Sequence, residues 1–409
     1  MTNPSQPWQK PNIPFPRLIM ILSICSAFAP FATDMYLPGF AKLVTSFATD
    51  ASHIEATISF FFLGLAVGQV IYGPLIDRFG RRKPLLMGIT LFILATVGCL
   101  LVTDIQSFIA LRLLQALGGC SGMIIGRAIV SDLFPEHEIA RIMATLMIVM
   151  SMAPICAPLI GGLIVAHFNW QGVFAVLLLL GVVSWLLVWK WLPETKSPAI
   201  RNTSSNLLQG YLRLCKTPAF LIPALSGSLA QACMFGFITG SPFVFLHHFG
   251  LNEQQYSWMF GCITVALVVS AQLTKMALRR YKSATILPAA LLANLIFGLA
   301  LLSVTQTSQL WLFVLPLWLV IATLSFTGST SMALAMSHCG NDAGSGSGLL
   351  GLMQFGCGFI VSSLIAANQN GTPYPMTIAI AGCGLTGSLL WFGYRLLSVR
   401  NAGDAVADR

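Results

Sequence analysis

Twelve long apolar stretches run through this chain, and they leave it few possible folds. They lie at about 18–40, 54–76, 84–103, 107–130, 140–166, 171–192, 218–246, 255–278, 285–304, 310–336, 345–367 and 374–397. A helix rises ~1.5 Å per residue, so about 20 apolar residues cross a ~30 Å hydrocarbon core. Of the 409 residues, 56% are hydrophobic and 9% charged, against roughly 25% charged in a soluble domain. So few charges cannot cover a water-facing surface, and most of the surface must face lipid. In lipid the backbone has to satisfy its own polar groups, which makes each stretch a helix. The longest polar stretch, 193–217, divides the runs six and six. The expected fold is an all-α membrane protein of twelve transmembrane helices: a six-helix bundle over 1–192, a cytoplasmic linker over 193–217, and a second six-helix bundle with a short tail over 218–409. Paired halves of this kind are typical of secondary transporters.

The formal charge is +9. A nucleic-acid binder would show basic residues on one solvated face, whereas these sit at the ends of apolar segments, and no nucleic-acid partner is expected. With the N-terminus, the loops after even-numbered spans and the C-terminal tail in the cytoplasm, all 22 basic residues fall on or at the boundary of that side except Lys42 and Arg112. Basic residues retained inside set topology, so both termini are expected in the cytoplasm, with no cleaved signal ahead of the first run. The ten cysteines lie mostly within apolar runs without zinc or redox spacing, and read as helix-packing residues. His247-His248 lacks a third ligand, so no metal is expected. There is no phosphate-binding loop, which argues against ATP as energy source, and no signal of an enzyme or a cofactor. The sequon Asn202-Thr203-Ser204 would be cytoplasmic and unmodified.

Four segments carry most of the chemistry. The loop between spans 2 and 3 reads Gly73-Pro74-Leu75-Ile76-Asp77-Arg78-Phe79-Gly80-Arg81-Arg82-Lys83-Pro84. Its glycines allow a tight turn and Asp77 can bond the arginines, so that charge pairs there can hold one conformation and release it; a plain topology-setting loop is the simpler alternative. Span 5 carries Pro154 and Pro158, which bend a helix, and Gly161-Gly162, which permit close packing. A kinked packing helix would look the same. Asp34 in span 1 and Arg112 in span 4 are costly in a bilayer. Counting at 1.5 Å per residue puts Asp34 about 24 Å and Arg112 about 22 Å above the inner face, at similar depth. Either Asp34 exchanges protons under the influence of Arg112, or the two form a static salt bridge, or Asp34 caps the helix end. Arg127 and Asp132 end span 4, near where that loop should dock.

The loop resembles the G-x-x-x-D-R-x-G-R-R/K signature of the major facilitator superfamily. Arg112-Leu113-Leu114-Gln115-Ala116-Leu117-Gly118 resembles the family's R-x-x-Q-x-x-G motif, and 153–162 its antiporter motif, carried by Pro154, Pro158, Gly161 and Gly162. Thr33-Asp34-Met35-Tyr36-Leu37-Pro38 is similar to the acidic motif of the Bcr/CflA branch of drug:proton antiporters, and Trp170-Gln171 and Gly240-Ser241-Pro242-Phe243 fit that branch too. The second-half counterpart of the loop, around Arg279-Arg280, keeps charge without the glycines or aspartate. The resemblance implies two pseudo-symmetric bundles in a bacterial inner membrane, a monomer, and proton-driven export of small amphiphilic drugs. It assigns proton coupling to Asp34 and Arg112, and gating to Gly73, Asp77, Arg78, Gly80, Arg81, Arg82 and Asp132.

A pocket is expected between the halves at mid-depth, with Tyr36, Phe62, Gln69, Gln115, Gln231, Phe235, Phe237, Phe326, Gln354 and Phe355 as candidate liners. Aromatic faces with few polar groups suit amphiphilic molecules, and amides rarely face lipid. A proton-linked carrier of a nucleoside or amino-acid derivative is the alternative cargo reading. A non-transporting membrane receptor is the alternative of another class, though no added soluble domain is in view. The expected partners are a small-molecule substrate, protons and the lipid bilayer.

Overall fold

The computed structural model describes residues 13–195 and 207–407, which are helical apart from short turns. Helix α1 (Phe15–Asp34) continues through a 3-10 turn at Leu37–Gly39 into α2 (Phe40–Ser46), and together they make the first crossing. The next three crossings are α3 (Ala51–Phe79), α4 (Arg82–Leu101) and α5 (Ile105–Leu133). Helix α6 (Glu136–Trp191) has 56 residues, about 84 Å at 1.5 Å per residue and far too long for one crossing. It breaks at Asn169 (φ 61°, ψ −177°), whose Oδ1 accepts the Trp170 N–H at 2.8 Å. Asparagine tolerates positive φ better than most residues, and the break makes α6 the fifth and sixth crossings.

The linker contains α7 (Leu207–Cys215), and the second half follows: α8 (Pro218–Pro242) with a π-helical extension Phe243–His248, α9 (Glu253–Leu278), α10 (Ser283–Ser303), α11 (Leu310–Met336), α12 (Ala343–Ala367) and α13 (Tyr374–Ala407). Among the described residues, eleven helices have spanning length and hydropathy. With α6 counted twice they give the twelve crossings that the hydropathy pattern predicts. An even number of crossings puts both chain ends on one face, here called the terminal face.

Polar side chains end the helices at the opposite face. Asp104 accepts the Ser107 N–H at 2.8 Å at the start of α5, and that bond holds its carboxyl below the usual carboxylate range. Asn252 and Gln255 exchange bonds of 2.8 and 3.0 Å in a capping box on α9. Within the first half α3 and α4 pack on α5, while α1 lies along α5 and α6; in the second, α8 packs against α11, α12 and α13. Glycines bring helices into backbone contact, as where a Cβ on Gly122 would strike the Cys25 carbonyl. The halves meet along two seams, α3 with α12 and α6 with α9. Arg213 of α7 pairs with Asp342 at 3.0 Å, just ahead of α12. The sequon at 202–204 lies outside the described residues.

Candidate functional site

A cavity of about 410 Å³ lies between the halves. Its walls come from α1, α3, α5 and α6 on one side and α8, α9, α11 and α12 on the other. A second cavity of about 290 Å³, lined by Gly73, Asp77, Ser131, Tyr211 and Gly344, shares Gln69, Arg127 and Ser347 with the first. Because these residues lie toward the terminal ends of their helices, the two together lead from the centre of the molecule toward the terminal face. On the opposite face the halves are joined. Lys42 Nζ reaches Glu253 at 3.7 Å and donates to the Val165 carbonyl at 2.7 Å. At the other seam the Gln369 amide donates to Glu55 at 2.7 Å.

Asp34 ends α1 at the deep end of the cavity. It is 2% exposed, and its Oδ1 has no hydrogen-bond partner among the described residues. Pro30, one turn earlier, also lines the cavity and denies the helix a donor there.

No ion pair joins Asp34 to Arg112 among the described residues. Arg112 is fully buried, with its guanidinium 4.3 Å from the ring centres of both Tyr36 and Phe61 and one nitrogen donating to Gln115 at 2.5 Å. Gln115 in turn donates to Thr96 at 2.8 Å. Tyr36 is bonded to Thr57 at 2.9 Å and lies within electrostatic reach of both charges. Equal depth on two helices does not fix the direction of a side chain, and an aromatic ring takes the contact that depth alone would give to the carboxylate.

Six of the ten expected cavity residues line the cavity: Phe62, Gln69, Gln231, Phe235, Gln354 and Phe355. Phe62 and Phe235 meet across the halves at 4.5 Å, and Phe355 joins them 5.6 Å from Phe235. The other four stand elsewhere. Tyr36 and Gln115 belong to the Arg112 site, Phe237 stacks on Phe260 at 4.7 Å inside the second half, and Phe326 lines a groove between α10 and α11. Residue type selected these four, but the face of the helix decides. The sequence reading missed the methionines of the wall, Met123, Met143, Met147, Met150, Met234 and Met332. Three of them, Met143, Met147 and Met150, share one face of α6 by i, i+4, i+7 spacing, which the apolar residues on the other faces of that run conceal.

The two glycines of the antiporter motif face in different directions. A Cβ on Gly161 would strike the Met35 carbonyl of the first half, and one on Gly162 would strike Ser257 of α9 in the second. Helix α6 is thus clasped on both sides just beyond Pro154, which lines the cavity, and Pro158, which is buried.

At the terminal face Arg81 grips Asp132 through two bonds, of 2.8 and 3.2 Å, lies 3.6 Å from Asp77, and donates to the Ile76 carbonyl at 2.9 Å. Glu194, just past α6, accepts the backbone N–H groups of Arg81 and Arg82 at 2.8 and 3.3 Å, so it caps α4. Gly80 turns there with φ 83°, and a Cβ would strike the Glu194 carboxylate. Thr195 donates to Asp132 at 3.2 Å, Arg82 to the Trp189 carbonyl, and Arg78 lies 5.4 Å over Phe79. These contacts lie within the first half; Gly73 and Asp77 face the cavity shared with α12. Across it stands Tyr211, whose hydroxyl is pushed up by burial and by the charge of Asp77. Sequence reasoning passed over Glu194 as part of a polar linker.

Two six-helix halves around a central cavity, closed on one face and leading toward the other, define a membrane transporter. The major facilitator superfamily model matches residues 22–363, and the chain belongs to that family, so it is a transporter and not an enzyme. It is 30% identical over 384 residues to an uncharacterized MFS-type transporter, YdgK, of Bacillus subtilis (strain 168), covering 92% of this chain and 94% of that one. It is 29% identical over 389 residues to a bicyclomycin resistance protein homolog of Haemophilus influenzae, covering 94% and 96%. Among solved structures, the nucleoside transporter NupG superposes with a TM-score of 0.72 at 14% identity, covering 92% of this chain and 99% of that one, which establishes a shared fold.

Proposed function

We propose that the protein exports small amphiphilic drugs from the bacterial cytoplasm across the inner membrane, exchanging them for protons by alternating access. The observation that carries this reading is Asp34, the carboxylate at the closed end of a cavity whose wall is mostly apolar, rich in methionine and phenylalanine, with three glutamines and Arg127 among its polar members. Methionine is flexible and polarisable and adapts to many shapes, while stacked phenylalanines offer flat apolar area. The resistance named in a full-length relative supports drugs as cargo. Likeness to a nucleoside transporter rests on fold at low identity and lends little to a metabolite cargo. The bias of basic residues supports a cytoplasmic terminal face, from which the cavity receives cargo. Asp34 takes a proton while facing outward, carries it in, and gives it up as cargo arrives. The Asp77–Arg81–Asp132 cluster steadies the terminal end of the first half while the second half rocks against it. Arg112 acts on Asp34 at a distance, through Tyr36.

The test is Asp34→Asn, which keeps shape and loses titration. Proton release on drug addition in detergent should vanish, and proteoliposomes with an imposed pH gradient should lose uphill export while binding persists. Uphill export at the wild-type rate would make Asp34 structural.

A further inference from the structure

A second carboxylate is buried in the membrane part of the first half, away from the cavity. Glu55, in the first turns of α3, is fully buried at the face opposite the termini. One oxygen accepts the Gln369 amide at 2.7 Å, and the other has no hydrogen-bond partner among the described residues. Gln369 follows α12, so this bond joins the two halves. The direction of the amide is fixed from behind: Gln369 Oε1 accepts the Gly371 N–H at 3.2 Å, which turns its NH₂ toward Glu55.

No cation pairs with Glu55 among the described residues. On its own helix stand Asp50, the N-cap, and His53, whose buried Nδ1 is unpartnered. From α2, Lys42 is held by Glu253 of α9 and the Val165 carbonyl. From α5 and its cap, Arg112 is enclosed by aromatic rings and Asp104 is bonded to Ser107. The extension of α8 ends in His247 and His248, both exposed, and the loop after α12 runs to Tyr374.

An ionised carboxylate with one oxygen bare and no counter-ion is poorly accommodated out of water, whereas a protonated one keeps the Gln369 bond and loses little. We infer that Glu55 and Gln369 form a proton-operated latch, in which Glu55 binds a proton from the outer side as the halves close over it and releases it when they part. The inference rests on the alternating-access reading but not on drugs as cargo. The sign follows from linkage. A glutamate in water titrates near ~4.3, so above that pH the open state carries Glu55 ionised and closure takes up one proton. Acid outside therefore favours the closed face, and as long as the closed face keeps Glu55 protonated the closing constant falls tenfold per pH unit as pH rises. The latch differs from the Lys42–Glu253 pair on the other seam, whose two side chains are about one-third exposed and which needs no proton to close.

Spin labels on Gln106→Cys and Ser308→Cys straddle this face on opposite halves. With the exposed Cys215 and Cys262 replaced by serine, double electron–electron resonance from pH 5 to 8 reads the open fraction. Wild type should open progressively as pH rises, and Glu55→Gln, which mimics the protonated acid, should stay closed with a slope lower by about one proton. Gln369→Glu, a change at a half-buried loop position, should move closure to lower pH, because a second carboxyl must then be neutralised; this variant decides the matter where Glu55→Gln does not fold. An unchanged slope in Glu55→Gln, or an unmoved midpoint in Gln369→Glu, overturns the latch while leaving alternating access intact. A face that opens in no condition overturns both. Loss of export in Asp34→Asn with the Glu55-dependent slope retained separates this site from the cavity carboxylate.

Discussion

A buried guanidinium without a carboxylate beside it, as in Arg112, must be held by weaker contacts. Here two aromatic faces at 4.3 Å and one amide oxygen do so, while Nε and Nη2 find no hydrogen-bond partner among the described residues. Cation–π contacts contribute about 0.5–2 kcal/mol each, and a hydrogen bond to a charged group about 1.5–3 kcal/mol. Gln115 therefore matters as much as either ring, and it is steadied in turn by Thr96. Gln115→Leu should lower stability by about 1.5–3 kcal/mol, seen as an earlier thermal transition in detergent, while Gln115→Glu, which supplies an anion, should restore it. Equal melting of Gln115→Leu and wild type would mean that the rings alone hold the charge. Asp34 is the opposite case: it belongs to the cavity wall, and its buried Oδ1 has no hydrogen-bond partner among the described residues. Both charges were legible in the sequence as costly residues inside apolar runs. Their partners were not, because depth along a helix follows from counting and the azimuth of a side chain does not.

At the scale of helices and loops, the turn between α3 and α4 works as a clasp. Arg81 ties the end of α3 to the end of α5, and Glu194 ties the start of α4 to the end of α6. The two acids near Arg81 are not equivalent. Asp77 lies at 3.6 Å with its side chain 36% exposed, whereas Asp132 holds Arg81 through two bonds and accepts a third from Thr195. Asp77→Asn should thus cost less than about 1 kcal/mol of stability, as exposed pairs do, while slowing transport. Asp132→Ala should cost about 1.5–3 kcal/mol. Melting both variants alongside a transport assay checks the order, and a larger loss of stability in Asp77→Asn would reverse it. The helices themselves were readable because hydropathy reports crossing length directly, and the break at Asn169 falls in the gap between two apolar runs. Cavity lining was read less well. These helices are apolar on every side, so periodicity does not separate a wall from a lipid-facing flank, and residue type alone does not distinguish Phe326 and Phe237 from the phenylalanines of the cavity. Glu194 and Glu55 were missed for a related reason: one sits at the edge of a polar stretch, the other just inside an apolar run, and only tertiary contact distinguishes them from their surroundings.

For the whole molecule, function depends on which face is open. The opposite face carries two unlike cross-half links, Lys42–Glu253 and Gln369–Glu55, with the Gly162–Ser257 approach between α6 and α9 beside the first. Toward the terminal face the two cavities run on between the halves past Arg127 and Ser347. Whether this arrangement takes up cargo from the cytoplasm or from outside depends on orientation, and orientation depends on charge: the sequence pattern assigns twenty of the 22 basic residues to the terminal side, with Lys42 and Arg112 the exceptions. Reversing the molecule would require translocating the other twenty, against the bias that retains lysine and arginine inside. Two cysteine reporters test this. Cys215, exposed at the end of α7 on the terminal face, should react with an impermeant maleimide only after cells are opened. Asn252→Cys, at the start of α9 on the opposite face, should react in intact cells, in a background with Cys215 and Cys262 changed to serine. Labelling of Cys215 from outside in intact cells would place both termini outside, turn the cavity toward the exterior, and convert the proposed exporter into a protein whose described state awaits cargo from the wrong side.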